Sequence, residues 1–116
     1  MKYEATITAI GSLAGELLEN SNSIIMLDEG ARPSLSEMVV EHTQTDLKED
    51  IKVGDTLHMG NKKFKVVTVG DMANENIRKE GHCTLVFNDE GSMPGQIVVK
   101  GTGAPRLLVG DTITFE

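Results

Sequence analysis

The sequence predicts an all-β domain, a small closed or nearly closed β-barrel with one or two short helices. Its first residues alternate between apolar and polar side chains, as a strand with one buried face requires. A Gly-Asp turn occurs at Val53-Gly54-Asp55-Thr56-Leu57 and again at Val109-Gly110-Asp111-Thr112-Ile113, with a partial copy at Val69-Gly70-Asp71. Many short strands joined by tight turns leave many strand edges, and closure into a barrel protects those edges.

The predicted strands follow one another at short intervals along the chain. In the first, the odd-numbered residues from Tyr3 to Ala9 share one face, and Gly11 ends the run. A hairpin is predicted with its turn at Gly60-Asn61. The remaining strands are predicted at residues 23–27, 38–41, 56–59, 64–69, 83–87, 96–100 and 112–115.

Two short helices interrupt the strands. The clearer one is predicted over Asp71–Glu80, with Asp71 as its N-cap and Gly81 as the residue that stops it. A second short helix is predicted to begin at Ser12, to run through Leu18 and to end in the polar cluster that follows.

The bulk composition excludes several classes of protein. The chain has 116 residues with no linker or change of composition, so residues 1–116 are predicted to form one domain. Its net charge of −7, without a basic stripe, argues against nucleic acid and anionic membranes as partners. One cysteine permits no internal disulfide, and no apolar run is long enough to cross a bilayer. The prediction is a cytoplasmic protein that does not insert into a membrane.

No motif for a metal or a cofactor is present, and neither is predicted. The histidines His42, His58 and His82 lie far apart, and His82 and Cys83, as strand neighbours, point to opposite faces. Cys83 lies in an apolar run and is predicted to be a buried, inert thiol. The segment Gly101–Pro105 resembles a phosphate loop only superficially, because its proline lacks an N–H and no helix follows it.

His42 has the most suggestive surroundings of the three histidines. Alternation places it on the same strand face as Val40 and Gln44, while Glu41 and Thr43 face the other way. A histidine at a strand end, beside hydroxyls and an amide, suits an anion acceptor, and histidine acts as nucleophile and base near neutral pH. A lone histidine is nevertheless more often a surface or structural residue, so the residues alone leave both interpretations open.

A resemblance to a known family begins at Val69–Phe87. This segment has a Val-Gly pair, then Ala, Asn and an aliphatic residue on a helix, then Gly-His-x-Thr-Leu-x-Phe. It resembles the glucitol/sorbitol-specific IIA components of the bacterial sugar phosphotransferase system. The opening Thr6–Gly11, the stretch Met38–Lys48, Pro94-Gly95 and the closing Gly110–Phe115 agree with the same pattern, so the resemblance covers essentially the whole chain.

The resemblance implies site residues. By position, the phosphoryl-accepting histidine of the family corresponds to His42, and a second histidine of the pattern corresponds to His82, with a supporting role. Members often carry another histidine and a glycine just after the acceptor, where this chain has Gln44 and Thr45. Thr43, Gln44 and Thr45 are the candidates for orienting the imidazole and stabilising the phosphate.

The resemblance also implies a function and partners. Such a component is a phosphotransferase that receives a phosphoryl group from the histidine-containing phosphocarrier protein. It passes the group to the IIB component, which works with the membrane component IIC in the uptake of glucitol or sorbitol. Two histidines can meet only if both are accessible, so a shallow, exposed site within an apolar docking surface is expected.

Two other classes of protein remain as alternatives. The first is a non-catalytic barrel that binds a small ligand or regulates a partner, and it should contain an enclosed apolar cavity. The second is an assembly subunit, and it should present a broad exposed hydrophobic face and no accessible histidine.

Overall fold

Eight strands close into a barrel in this computed structural model, which describes all residues from 1 to 116. The strands are β1 Tyr3–Ile10, β2 Ser23–Asp28, β3 Val40–His42, β4 Thr56–Met59, β5 Lys62–Val69, β6 Cys83–Phe87, β7 Gln96–Lys100 and β8 Thr112–Phe115. Around the barrel they are ordered β1-β3-β2-β6-β7-β5-β4-β8, and β8 pairs with β1 to close the ring. The predicted closed barrel is confirmed, and its strand positions agree with the alternation and turn pattern of the sequence.

Two of the eight strand pairings are parallel. β2 pairs in parallel with β3, and β6 with β7, while the other six neighbouring pairs are antiparallel. The parallel pair β2–β3 brings the ends of two strands to the same side of the barrel, with Asp28 opposite His42. This arrangement places a carboxylate beside the histidine.

The two helices are α1, Ala14–Ser21, and α2, Ala73–Glu80. Their N-caps are Leu13 and Met72, not the predicted Ser12 and Asp71, and no side chain caps either helix. The backbone N–H of each cap residue donates instead to a carbonyl of a distant loop, Glu37 for α1 and Pro94 for α2. Tertiary hydrogen bonds thus replace side-chain capping, and each helix begins later than its sequence signal indicates.

Apolar side chains fill the inside of the barrel. A cluster of 22 buried residues includes the first-strand residues Tyr3, Ala5 and Ile7, as the alternation predicted. Phe64 and Phe87 pack edge to face, with ring centroids 5.0 Å apart, inside a core otherwise made mainly of aliphatic residues. None of the helices combines the length and the apolar character that spanning a membrane needs.

Candidate functional site

His42 is the last residue of β3, and its side chain is completely buried, with 0% of its surface exposed. The predicted face is correct, because Val40 and His42 point inward while Glu41 is half-buried. The predicted exposure is wrong. β3 lies between β1 and β2, where His42 faces Ile7 on one side and Asp28 on the other. Closure of the barrel therefore covers a strand end that would be open in an isolated strand.

Backbone carbonyls hold both nitrogens of the His42 ring. Nδ1 lies 2.8 Å from the carbonyl oxygen of Thr43, and Nε2 lies 2.9 Å from that of Gly81. The ring of Tyr3 packs edge-on against the imidazole, with the two centroids 6.0 Å apart. These contacts fix the orientation of the ring within the wall of the barrel.

Gly81 ends α2 and adjoins the histidine. Its φ of +62° is in the left-handed region, and its N–H donates to the carbonyl of Ile77 at 2.9 Å. A Cβ at this position would collide with the Asp28 carboxylate and the His42 ring. Glycine is needed here for two reasons, the left-handed backbone and the space that the two polar side chains occupy.

Asp28 is the principal site residue that sequence reasoning missed. Its Oδ1 lies 3.8 Å from Nδ1 of His42, and this oxygen is buried without a hydrogen-bond partner. Burial raises the pKa of Asp28 above its ordinary value, although the His42 charge acts in the opposite direction. The sequence placed Asp28 in the turn after a strand, and only the parallel pairing of β2 with β3 shows which residue it faces.

An open polar depression of about 510 Å³ lies beside the histidine. Its six lining residues include no apolar side chain; they are Asp28, Gln44, Thr45, Asp46, Arg78 and Lys79. The expected apolar docking surface is therefore wrong at this position. The cations come from the last turn of α2, where Arg78 lies 2.6 Å from Asp50 and Lys79 lies 3.5 Å from Glu75.

The structure brings some of the proposed site residues together and separates others. Gln44 and Thr45 both line the depression. Thr43 contacts the imidazole through its carbonyl, while its hydroxyl accepts a hydrogen bond from the Thr6 N–H at 3.0 Å. His82 is half-buried between Gly81 and the first residue of β6. Both His42 nitrogens contact carbonyls and not this second imidazole.

Cys83 and His58 do not line the depression beside His42. Cys83 is fully buried, as predicted, and burial raises the pKa of its thiol to about 12, which disfavours the reactive thiolate. His58 pairs with Glu116, its Nε2 lying 2.6 Å from Oε1. No three His, Cys, Asp or Glu side chains lie together in an arrangement that could hold a metal ion.

Comparison with known proteins relates this geometry to a family. The family model described as "PTS system glucitol/sorbitol-specific IIA component" matches residues 2–114. The chain belongs to that family. The resemblance inferred from Val69–Phe87 is thereby confirmed. The chain is a component of the phosphotransferase system and works with other components of that system.

Proteins similar to the chain in sequence are described as the same component of the system. The PTS system glucitol/sorbitol-specific EIIA components of Shigella flexneri and Escherichia coli K12 are each 33% identical to it over 116 residues, which covers 98% of this chain and 94% of theirs. The crystal structure of a PTS system IIA component from Enterococcus faecalis V583 superposes with a TM-score of 0.88 at 25% identity, covering 97% of this chain and 98% of that one. The fold of nearly the whole chain is thus shared with that solved structure.

Proposed function

We propose that the chain is a cytoplasmic phosphocarrier that accepts a phosphoryl group on His42 from the histidine-containing phosphocarrier protein. It passes the group to the IIB component, so that a sugar alcohol of the glucitol class is phosphorylated during uptake through IIC. One observation carries the assignment to His42. Among the buried residues His42 is the only histidine, a side chain that can act as a nucleophile near neutral pH, and its neighbour Asp28 lines the polar depression.

The surroundings of His42 support this role. A titratable ring in an apolar core is costly unless it is hydrogen-bonded, and here two carbonyls and a carboxylate are arranged around it. A depression with cationic and amide donors, Arg78, Lys79 and Gln44, adjoins it. Phosphoryl transfer depends mainly on the positioning of the reactants and on stabilisation of the negative charge of the phosphoryl group. These donors can stabilise that charge.

The buried ring adds one requirement to the proposal. A phosphoryl group attached to another protein cannot reach a side chain with no exposed surface, so the side chains between His42 and the depression must move during transfer. Asp28 is both a neighbour of the ring and a wall of the depression, and opening at this residue connects the two. Arg78 and Lys79 are largely exposed, so releasing their ion pairs costs little.

The alternative of a small-ligand-binding barrel has less support. It requires an enclosed apolar cavity, whereas side chains of the core cluster fill the barrel interior. A second depression, of about 690 Å³, lies on the outside against β5 and β7, with three hydrophobic residues among the ten that line it.

The test is phosphorylation by phosphoenolpyruvate and the general phosphotransferase proteins, followed by peptide mass mapping under alkaline conditions. An acid-labile phosphate is expected on the peptide that contains His42. His42→Ala and the polar variant His42→Gln should both lose it completely, with folding of each variant checked by circular dichroism. His82→Ala and His58→Ala are the matched controls and should be labelled as the unmodified chain is. Labelling of a folded His42 variant would refute the assignment.

A further inference from the structure

Three polar side-chain atoms are buried in the barrel without a hydrogen-bond partner, namely the hydroxyls of Tyr3 and Thr8 and Oδ1 of Asp28. Two of them belong to residues that flank the His42 ring. Oδ1 of Asp28 lies 3.8 Å from Nδ1, and the Tyr3 ring packs edge-on against the imidazole with the centroids 6.0 Å apart. A buried polar group without a partner destabilises a fold, because its lost hydration is not replaced. This cost is concentrated around the proposed phosphoryl acceptor.

Tyr3 is held in place by backbone on both sides. It pairs with Phe115 of β8, and the N–H of the preceding residue, Lys2, donates to the Phe115 carbonyl at 2.9 Å. The Lys2 carbonyl accepts a hydrogen bond from the Lys48 N–H, also at 2.9 Å. Only 1% of the surface of Tyr3 is exposed. Its hydroxyl therefore has a fixed position, as a preorganised hydrogen-bond donor needs.

Packing does not account for the Tyr3 hydroxyl. The same core buries the phenyl rings of Phe64, Phe87 and Phe115, and Phe115 is the strand partner of Tyr3. A phenylalanine at position 3 would keep the edge-on contact with His42 and would remove the unsatisfied group. An acceptor that is present only in another state of the protein would explain the hydroxyl.

The Tyr3 hydroxyl is suited to donate to an anion. Burial raises the pKa of Tyr3, and the negative charge of Asp28 raises it further, so the phenol keeps its proton near neutral pH. A protonated phenol donates a hydrogen bond, and a phosphoryl group offers three strong acceptor oxygens. The effect of the Asp28 charge also shows that the phenol and the carboxyl are neighbours.

The route to His42 passes this hydroxyl. Asp28 lies between the imidazole and the polar depression, since it neighbours Nδ1 and also lines the depression. A phosphoryl group that comes from the depression must enter the space that the Asp28 side chain now occupies. That space adjoins both the imidazole and the phenol of Tyr3.

We propose that Tyr3 is a phosphoryl-binding residue of this site, and that its hydroxyl donates a hydrogen bond to a phosphoryl oxygen as the group is transferred to His42. The inference rests on the proposed function and adds a residue to it. In the transfer, a lone pair of the imidazole forms the bond to phosphorus. The bond between phosphorus and the nitrogen of the donor histidine breaks, and its electron pair returns to that nitrogen. Tyr3 keeps its proton throughout, and its hydrogen bond stabilises the negative charge inside the barrel wall.

The test is Tyr3→Phe, which removes the hydroxyl and keeps the ring. With phosphoenolpyruvate and the general phosphotransferase proteins, the rate of phosphoryl acceptance on His42 should fall about thirtyfold, as expected for the loss of one hydrogen bond to a charged group. The phosphorus NMR resonance of the phosphohistidine should also shift. Thermal unfolding of the unphosphorylated variant should occur at the same or a higher temperature, because an unsatisfied buried group has been removed.

Thr8→Val is the matched control. It removes the other unsatisfied hydroxyl, which belongs to none of the residues that contact the His42 ring. Its unfolding temperature should likewise not fall, and its rate of phosphoryl acceptance should stay within about twofold of that of the unmodified chain. Equal slowing by Thr8→Val and Tyr3→Phe would assign the loss to altered packing of β1 and would overturn the inference.

The remaining outcomes separate this inference from the proposed function. Phosphoryl acceptance by Tyr3→Phe at the rate of the unmodified chain would overturn the role given to Tyr3 and leave the proposed function intact. A lower unfolding temperature for Tyr3→Phe would also overturn that role, because the hydroxyl would then have a partner in the unphosphorylated protein. A phosphate on a residue other than His42 in the unmodified chain would overturn the proposed function itself.

Discussion

The barrel is built from two halves with the same order of elements. The first half runs β1-α1-β2-β3-β4, and the second runs β5-α2-β6-β7-β8. Around the ring, β1-β3-β2 of the first half meets β6-β7-β5 of the second, and each half contains one parallel pair, β2–β3 and β6–β7. The strand order therefore has an internal twofold pseudosymmetry.

The correspondence extends to individual backbone groups. Gly11 and Gly70 precede the two helices, and their N–H groups donate to Val39 and Gln96, at 2.9 Å and 2.8 Å. Gly54 and Gly110 adopt φ angles of 98° and 96° in the two complete Gly-Asp turns. Equivalent residues therefore have equivalent backbone roles in both halves.

The halves differ where the site lies. In the first, Asp28 pairs with His42 across the parallel strands; at the corresponding register of the second, Phe87 pairs with Val99. Val99 is as fully buried as His42. The same backbone frame thus accommodates a polar pair in one half and an apolar pair in the other, and the fold does not require a histidine at this register.

The largest loss of unfolding free energy is expected from Val99→His. This variant places an imidazole in the second half of the barrel without the groups that surround His42. Phe87 and not a carboxylate lies opposite, so the ring is both too large and unpaired. The free energy of unfolding should fall by about 4 kcal/mol from overpacking and an unsatisfied polar group together. Urea unfolding measures it.

The reciprocal change, His42→Val, gives this comparison its control. It copies the residue found at the corresponding register and should cost less, about 2 kcal/mol, because it leaves two carbonyls without their partner but introduces no unpaired ring. If His42→Val instead stabilised the protein by as much as Val99→His destabilises it, the two halves would tolerate histidine alike and the first half would not be specialised.

Gly11→Ala and Gly70→Ala are expected to lose the same amount of unfolding free energy as each other, and less than Val99→His loses. Neither glycine has a positive φ, but a Cβ on Gly11 would meet the carbonyls of Ser36 and Glu37, and one on Gly70 those of Met93 and Pro94. Each variant should lose about 3 kcal/mol of unfolding free energy, because backbone must shift to make room.

Gly15→Ala controls for the substitution itself. Gly15 lies in α1 with open space at its Cβ position, so alanine should stabilise the protein there by about 0.5 to 1 kcal/mol. Thermal unfolding compares the three variants. A large difference between Gly11→Ala and Gly70→Ala would show that the two glycines do not have the same structural role.

Local sequence patterns predicted the barrel well but only part of the site. Alternation and Gly-Asp turns depend on neighbouring residues, so strands such as Ser23–Asp28 and Thr56–Met59 could be predicted nearly to their ends. The pairing of Asp28 with His42 depends on a parallel strand order that no local pattern specifies. The burial of His42 and the approach of Arg78 to the depression follow from the same long-range order, so the sequence led to a prediction for the histidine but not for its surroundings.

The last and smallest loss of unfolding free energy is expected at the two Gly-Asp turns. The aspartate of each turn is bound by a different cation in each half of the barrel. Asp55 Oδ2 accepts hydrogen bonds at 2.8 Å from Lys2 Nζ and from the Lys52 N–H, whereas Asp111 binds the Arg106 guanidinium through both oxygens at 2.9 Å. Burial acts to raise the pKa of Asp55, but the hydrogen bonds from Lys2 and Lys52 outweigh it and lower the pKa below its ordinary value.

The sign of the pH dependence follows from this direction. A carboxylate whose pKa is lowered by folding stabilises the protein above its unfolded pKa, and this stabilisation is lost as the pH falls through the folded value. Asp55→Asn should therefore cost about 1 kcal/mol at pH 7, and the difference from the unmodified chain should narrow towards pH 3. Urea unfolding at both pH values measures it, with the exposed Asp46→Asn as a control that should change little. A deficit for Asp55→Asn that stays constant with pH would mean that the turn depends on the shape of the side chain and not on its charge.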